Sequence, residues 1–158
     1  MRIIDIVNKF DVQTKADLIQ NYIKLGLKAS GNWSNELESI IKERSDGINI
    51  KYLGSQYTQQ LITGRRPNKN QSKDSLRSFV GWAGKTFLAD WVKQKGSKAS
   101  PFAVAYKIAR EGITVPNKYN PGTILSNVFN DERIEKLLKD ISVGFINEIK
   151  SDIKTSFK

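Results

Sequence analysis

From Ile134 to Ile153 the chain repeats an apolar residue every three or four positions: Ile134, Leu137, Leu138, Ile141, Phe145, Ile149 and Ile153. That spacing follows the turn of an α-helix and sets these residues along one side of it. A helix with such a side must lay it against something, so the chain is restricted to folds with a long C-terminal helix packed on another element. The helix is expected to begin near Asn130-Asp131-Glu132, because acids suit the positive end of the helix dipole. Gly144 interrupts the stripe and marks a tight contact or a slight bend.

The remaining elements can be read in chain order. Ile3, Ile4, Ile6 and Val7 give residues 1–13 the look of an N-terminal arm or a first turn of helix, ahead of a single domain over 14–158. A helix is predicted from Thr14 to Ala29 on Leu18, Tyr22, Leu25 and Ala29, with Ser30-Gly31-Asn32 as its stop. A second is predicted from Ser34 to about Arg44 on Leu37, Ile40 and Ile41, with Trp33 stapling its entry. Ile48-Asn49-Ile50-Lys51-Tyr52 alternates as a strand does, and 57–62 reads as a second strand or a short helix. Residues 64–74 read as a long polar loop. One helix is expected over 75–95, stopped by Gly96, with Val80, Ala83, Gly84, Phe87, Leu88 and Trp91 on its apolar face. Ser100-Pro101 opens another, which Gly112 stops. The predicted class is α+β and mostly helical: about five helices, the last one long, with a small β element near residues 48–62.

Composition excludes several chemistries. The 158 residues include no cysteine and no histidine. A thiolate nucleophile, the common zinc ligands and any triad built on imidazole are therefore absent. The carboxylates of the central region, Asp74, Asp90 and Glu111, show no metal-ligand spacing. The reading is of a protein that is not an enzyme, with no catalytic residue, no metal and no cofactor. No apolar run is long enough to span a bilayer, and Met1-Arg2-Ile3-Ile4-Asp5 lacks the apolar core of a signal peptide, so the expected compartment is the cytoplasm.

The net charge of +10 is regional: residues 65–118 hold 12 Lys/Arg against 3 Asp/Glu, a balance of +9. Such concentration suggests a polyanion near one surface. Arg65, Arg66, Lys69, Lys73 and Arg77 are its densest group, with Lys107 and Arg110 on the helix after Pro101. These seven residues are the candidate interface or DNA-facing set. Phosphate contact and a solvated or protein-contacting loop both fit it.

Three motifs in this region are weaker than they look. Gly84-Lys85-Thr86 resembles the end of a phosphate-binding loop, but Phe79 stands where the pattern needs its first glycine, and the stretch is amphipathic. The two central helices resemble a helix-turn-helix, but the turn from Gly96 to Ser100 is long, and the second helix carries no Asn or Gln to read bases. Trp82, Phe87, Trp91 and Phe102 can stack on bases, yet at helical spacing they read as core.

Several of these segments, taken together, resemble a known family. They are Tyr57 with Gly64-Arg65-Arg66-Pro67-Asn68, then Gly81-Trp82-Ala83-Gly84-Lys85-Thr86-Phe87 and Trp91-Val92, then Pro101-Phe102-Ala103-Val104-Ala105-Tyr106-Lys107-Ile108-Ala109-Arg110-Glu111-Gly112-Ile113 with Val115-Pro116. The set is similar to the small neck and tail-completion (head–tail connector) proteins of tailed bacteriophages, closest to those of Bacteroides-infecting crAss-like phages. The doubled Arg65-Arg66 and the inserted helix over 75–95 depart from the compact form of that family. The resemblance implies a structural virion protein, assembled in the host cytoplasm as a homo-oligomeric ring at the head–tail junction. Such a ring joins the portal or adaptor to the tail and surrounds the DNA channel. Its implied partners are other copies of itself, portal, adaptor and tail proteins, and genomic DNA by non-specific contact. The residues alone support a different reading as well, a cytoplasmic nucleic-acid-binding protein that uses its basic helical pair.

Overall fold

In a computed structural model of the chain, residues 2–27, 32–55 and 58–156 are described. Among them the fold is α+β and mostly helical, with a long helix at the C-terminal end.

Helix α1 spans Ile3–Lys24. Its first turn is closed by the Arg2 backbone N–H, which donates to the Asp5 carboxylate at 3.0 Å. The stretch over 3–13 is therefore helix and not a separate arm, and Ile6 and Val7 are buried. The helix ends earlier than the apolar spacing predicts: Leu25 closes it and Gly26 turns the chain at φ +65. The expected end at Ala29 and the stop at Ser30-Gly31 fall outside the described residues.

A single turn, α2 (Asn32–Asn35), leads into a hairpin of β1 (Glu38–Arg44) and β2 (Gly47–Leu53). The helix expected over 34–44 is thus mostly strand, and the β element lies over 38–53, not 48–62. Ser39, Ile41, Ile48, Ile50 and Tyr52 form the inner face, with Ile41 opposite Ile50 and Ser39 opposite Tyr52. Strand pairing through the two-residue Ser45-Asp46 turn outweighs the helical spacing of Leu37, Ile40 and Ile41. Helix α3 (Thr58–Thr63) resolves the alternative left by the sequence in favour of a short helix; Gln56 and Tyr57 lie outside the described residues.

Strand β3 (Gly64–Arg65) pairs antiparallel with β4 (Ile113–Thr114). Gly64 sits at φ +83, and a Cβ there would lie 2.0 Å from the Ile113 carbonyl oxygen, so only glycine lets the two backbones meet. The helix expected over 75–95 is two helices, α4 (Lys73–Lys85) and α5 (Phe87–Gln94), broken at Thr86. Helix α6 (Pro101–Glu111) begins at Pro101 and is closed by Gly112, as the sequence predicts. Helix α7 spans Asp131–Ser156.

Two clusters of buried side chains organise these elements. The first joins Leu18 and Tyr22 of α1 to Leu27, Trp33, Leu61, Ile124 and Val128. Trp33 is stapled there, its ring 4.7 Å from that of Tyr22 and its Nε1 donating to Thr58 Oγ1 at 2.9 Å. The second cluster is Ala83, Leu88, Ala105 and Ile108, from α4, α5 and α6. Its small residues let α4 and α6 lie close together: a Cβ on Gly84 would fall 2.6 Å from the Phe102 ring. The clusters are tied by the β3–β4 pair, by Lys95 Nζ donating to the Gly26 carbonyl, and by Trp91 stacked edge-on against Tyr119.

Helix α7 runs antiparallel to α1. Near its start Arg133 donates to Asp17 and Thr14 at the middle of α1, while further along Glu148 accepts from the backbone N–H of Ile3. The seam uses Arg133, Leu137, Ile141, Gly144 and Glu148, of which only Gly144 is fully buried. Most of the apolar stripe that dominates the sequence lies to one side of this seam and is exposed.

Candidate functional site

The seven basic candidates divide by role. Arg65 is a structural residue. Its Nη2 donates to Asn68 Oδ1 at 2.6 Å, its Nη1 to the Ile108 carbonyl at 3.3 Å, and its guanidinium lies 4.3 Å from the centre of the Phe79 ring. Burial pulls its pKa below the ordinary arginine range. The following loop completes the work, with the Asn68 backbone N–H donating to the Ala109 carbonyl at 2.8 Å and Gln71 Nε2 to the same oxygen at 3.1 Å. The Ala109 carbonyl near the end of α6 thus finds partners outside the helix, and the Ile108 carbonyl, which already accepts from the Gly112 N–H at 2.9 Å, gains Arg65 as a second donor. What reads as a long polar loop is a clasp over the C-terminus of α6, and Arg65 is its pin.

The other six side chains are exposed. Arg66 and Lys69 sit on the clasp, and Lys73 and Arg77 on the first turns of α4. Lys107 lies 3.9 Å from Glu111 in a solvent-facing pair, and Arg110 stands 5.8 Å from the Tyr106 ring. These residues share one end of the α4–α6 pair. Gln71, just before α4, reaches the last turn of α6, while Gly84, near the end of α4, meets Phe102 in the first turn of α6. The helices are therefore antiparallel, and the start of α4 lies beside the end of α6. Cations there complement the negative end of the α6 dipole.

The opposite end of the pair is aromatic. Trp82 is 59% exposed and Phe87 40%, their rings in edge contact at 5.4 Å. Phe102 is exposed as well, at 43%. Reading these three rings as core is incorrect. For Phe87 the reason is the break at Thr86, which ends the continuous helical face that would have carried it beside Ala83 and Gly84. Trp91 does pack, against Tyr119.

The motif resemblances also resolve. Gly84 and Lys85 close α4, and Thr86 Oγ1 donates to the Trp82 carbonyl at 2.8 Å. A helix precedes Gly84-Lys85-Thr86, not the strand and open loop that phosphate binding needs. Lys107 and Arg110 lie in the last turns of α6, whereas a recognition helix reads bases chiefly with its N-terminal residues. Among the described residues, no group of three carboxylates could hold a metal ion, and no helix is long and apolar enough to cross a membrane.

One polar cluster has no forewarning in the sequence. Asp11, 5% exposed, accepts from Ser39 Oγ at 2.7 Å and lies 3.3 Å from Lys15. Arg133 binds Asp17 at 2.5 Å and Thr14 at 3.1 Å beside it. Burial pushes the Tyr52 phenol up to about 12, and the negative charge of Asp11 adds to the rise. These groups come from α1, the hairpin and α7, so no local pattern links them. They fix the hairpin and the start of α7 onto α1.

Comparison with protein-family models, with curated proteins and with solved structures finds no match to this chain.

Proposed function

We propose that this protein is a non-enzymatic structural subunit that assembles into a homo-oligomeric ring at the head–tail junction of a tailed phage, between portal or adaptor and tail. The central segments from Gly64 to Pro116 supply the phage resemblance. The observation that carries the assembly reading is the exposed apolar face of α7: Leu138 is 58% exposed, Phe145 54% and Ile153 52%, on a helix of 26 residues. A face of that length costs solubility in a protein that works alone, and it is ordinary in one that works between neighbours. Electron microscopy tests the reading. Purified protein should give closed rings with a central channel, and the chain should be present in purified virions at the neck. A chain that stays monomeric at high concentration and is absent from particles would sink it.

A second reading rests on a separate observation, the exposed cluster of Arg66, Lys69, Lys73 and Arg77 on the clasp and on α4. In that reading the cluster binds duplex DNA without regard to sequence. Affinity should then fall steeply with salt, and removing both Arg66 and Lys69 should reduce the log–log salt slope by about two. Arg65 is unsuitable for this test because its removal also opens the clasp.

A further inference from the structure

We infer that the free edge of β1 pairs antiparallel with the β1 edge of a second copy, joining two hairpins into one four-stranded sheet across a twofold axis. The inference goes beyond the ring reading: a contact between identical faces closes on itself as a dimer and neither needs nor builds a ring.

The hydrogen bonds of the hairpin give the first argument. Its ladder runs from Arg44–Gly47 to Glu38–Leu53 and is closed by the Ser45-Asp46 turn, so its hydrogen-bonded pairs fall on Arg44, Lys42, Ile40 and Glu38. Ser39, Ile41 and Glu43 therefore turn their backbone N–H and C=O groups away from β2. Among the described residues no third strand meets them, and the sheet stops at two strands. A two-stranded sheet is marginal by itself, and an open edge is a template for another strand.

Charge selects the occupant. The outer face of β1 reads Glu38, Ile40, Lys42 and Arg44, all exposed, with Glu36 exposed just before the strand. Acids lead on that face and cations follow, so an antiparallel copy presents the reverse order. In the register that sets Ser39 against Ile41 as a hydrogen-bonded pair, Glu38 lies opposite Lys42, Arg44 opposite Glu36, and Ile40, 39% exposed, opposite its own copy. The Glu38–Lys42 and Ile40–Ile40 pairs are then the non-hydrogen-bonded ones, whose side chains approach most closely. Glu43, on the other face, comes opposite Leu37 and meets no acid. The other pairings of this hairpin lack that match. A parallel copy in register sets acid beside acid and cation beside cation. Strand β2 carries Lys51 and no acid, so it offers nothing to Lys42 and Arg44, and two β2 edges bring no opposite charges together. Charges on an edge normally hold other strands off. Their order on β1 admits a copy of itself.

A strand edge is smaller than a standard interface, so a covalent trap suits the weak association expected. The chain has no cysteine of its own. Ile40→Cys places one thiol at the twofold axis, where the paired Cα atoms lie about 4.5 Å apart, within the span of a disulfide. Lys51→Cys, exposed on the outer face of β2, is the control. Under mild oxidation the Ile40→Cys protein should cross-link to a dimer well ahead of the control. Adding Glu38→Lys or Lys42→Glu to it sets like charges opposite one another, and each should reduce the product. A 1:1 mixture of those two proteins should restore it, because each supplies the charge that the other lacks. A chain carrying both exchanges should cross-link as its parent does, and that chain carries the test should either single exchange fail to fold by circular dichroism. Cross-linking of Ile40→Cys no faster than the control, or charge variants that cross-link unchanged, overturns the pairing while leaving ring formation by other faces standing.

Discussion

The two core clusters solve the problem of holding helices together in opposite ways. Around Leu18, Tyr22, Trp33 and Ile124 the interior is filled by large side chains, and the segments that supply them are far apart in sequence. Around Ala83 and Ala105 small residues let α4 and α6 close up, and the Phe102 ring packs directly over Gly84. The first region is close to neutral, whereas the second carries nearly all of the net charge. The contrast shows how the work is divided. The first region is stabilised by buried area and by the Asp11–Arg133 polar cluster. The second is a thin, rigid wedge that leaves its outer surfaces free to hold charge at one end and aromatic rings at the other.

The contrast can be broken by changing volume in opposite directions. Leu18→Ala, at a site 1% exposed, should cost about 3–4 kcal/mol in chemical denaturation, because the large-residue core loses both contact and volume. In the wedge enlargement is the damaging change. Ala105→Leu, at a fully buried site, should cost about 2 kcal/mol by forcing α4 and α6 apart. An Ala105→Leu protein as stable as the wild type would mean that the wedge is looser than its geometry implies.

The clasp offers a smaller test within one dipeptide. Arg65→Ala should cost about 1–2 kcal/mol, through loss of its hydrogen bonds and its place over Phe79. Arg66→Ala, on an exposed neighbour, should change stability by less than about 0.5 kcal/mol. Equal effects would remove the distinction between pin and surface charge.

The smallest effect is confined to alkaline pH. Tyr52 has its pKa raised from 10.0 to about 12 in the folded chain, so the native state holds that proton more tightly than the unfolded state does. Its contribution to stability is complete below pH 10 and lost as the pH rises toward 12. Tyr52→Phe should flatten that part of the pH–stability curve and leave the neutral region little changed. An unaltered alkaline slope would show that the phenol is not held in the environment described.

The contrast also explains which features were legible in the sequence. Elements defined by local chemistry were readable: Pro101 to Gly112 as a helix, the acidic start of α7, and the helical spacing of Leu18 and Tyr22. Where partners across the chain decide the outcome, local spacing misleads. Glu38–Arg44 is a strand because the hairpin and the inner face of Tyr52 require it. Thr86 carries no breaker signal, yet it divides the predicted helix and takes Phe87 off its apolar face. Charge density defined the seven candidate residues, but it could not separate Arg65 from its neighbours. That difference depends on the Ile108 carbonyl and the Phe79 ring, far away in sequence. The α7 stripe was plainly visible, but the sequence does not show how little of it α1 would cover.

The absence of cysteine from the chain allows a direct measurement of the central claim. Leu138→Cys places a single thiol on the exposed apolar face of α7, where an attached environment-sensitive fluorophore reports burial. As the concentration rises and the protein passes from monomer to a discrete oligomer in sedimentation, its emission should shift to the blue. An emission unchanged while the oligomer forms, or a chain that stays monomeric throughout, would contradict the account.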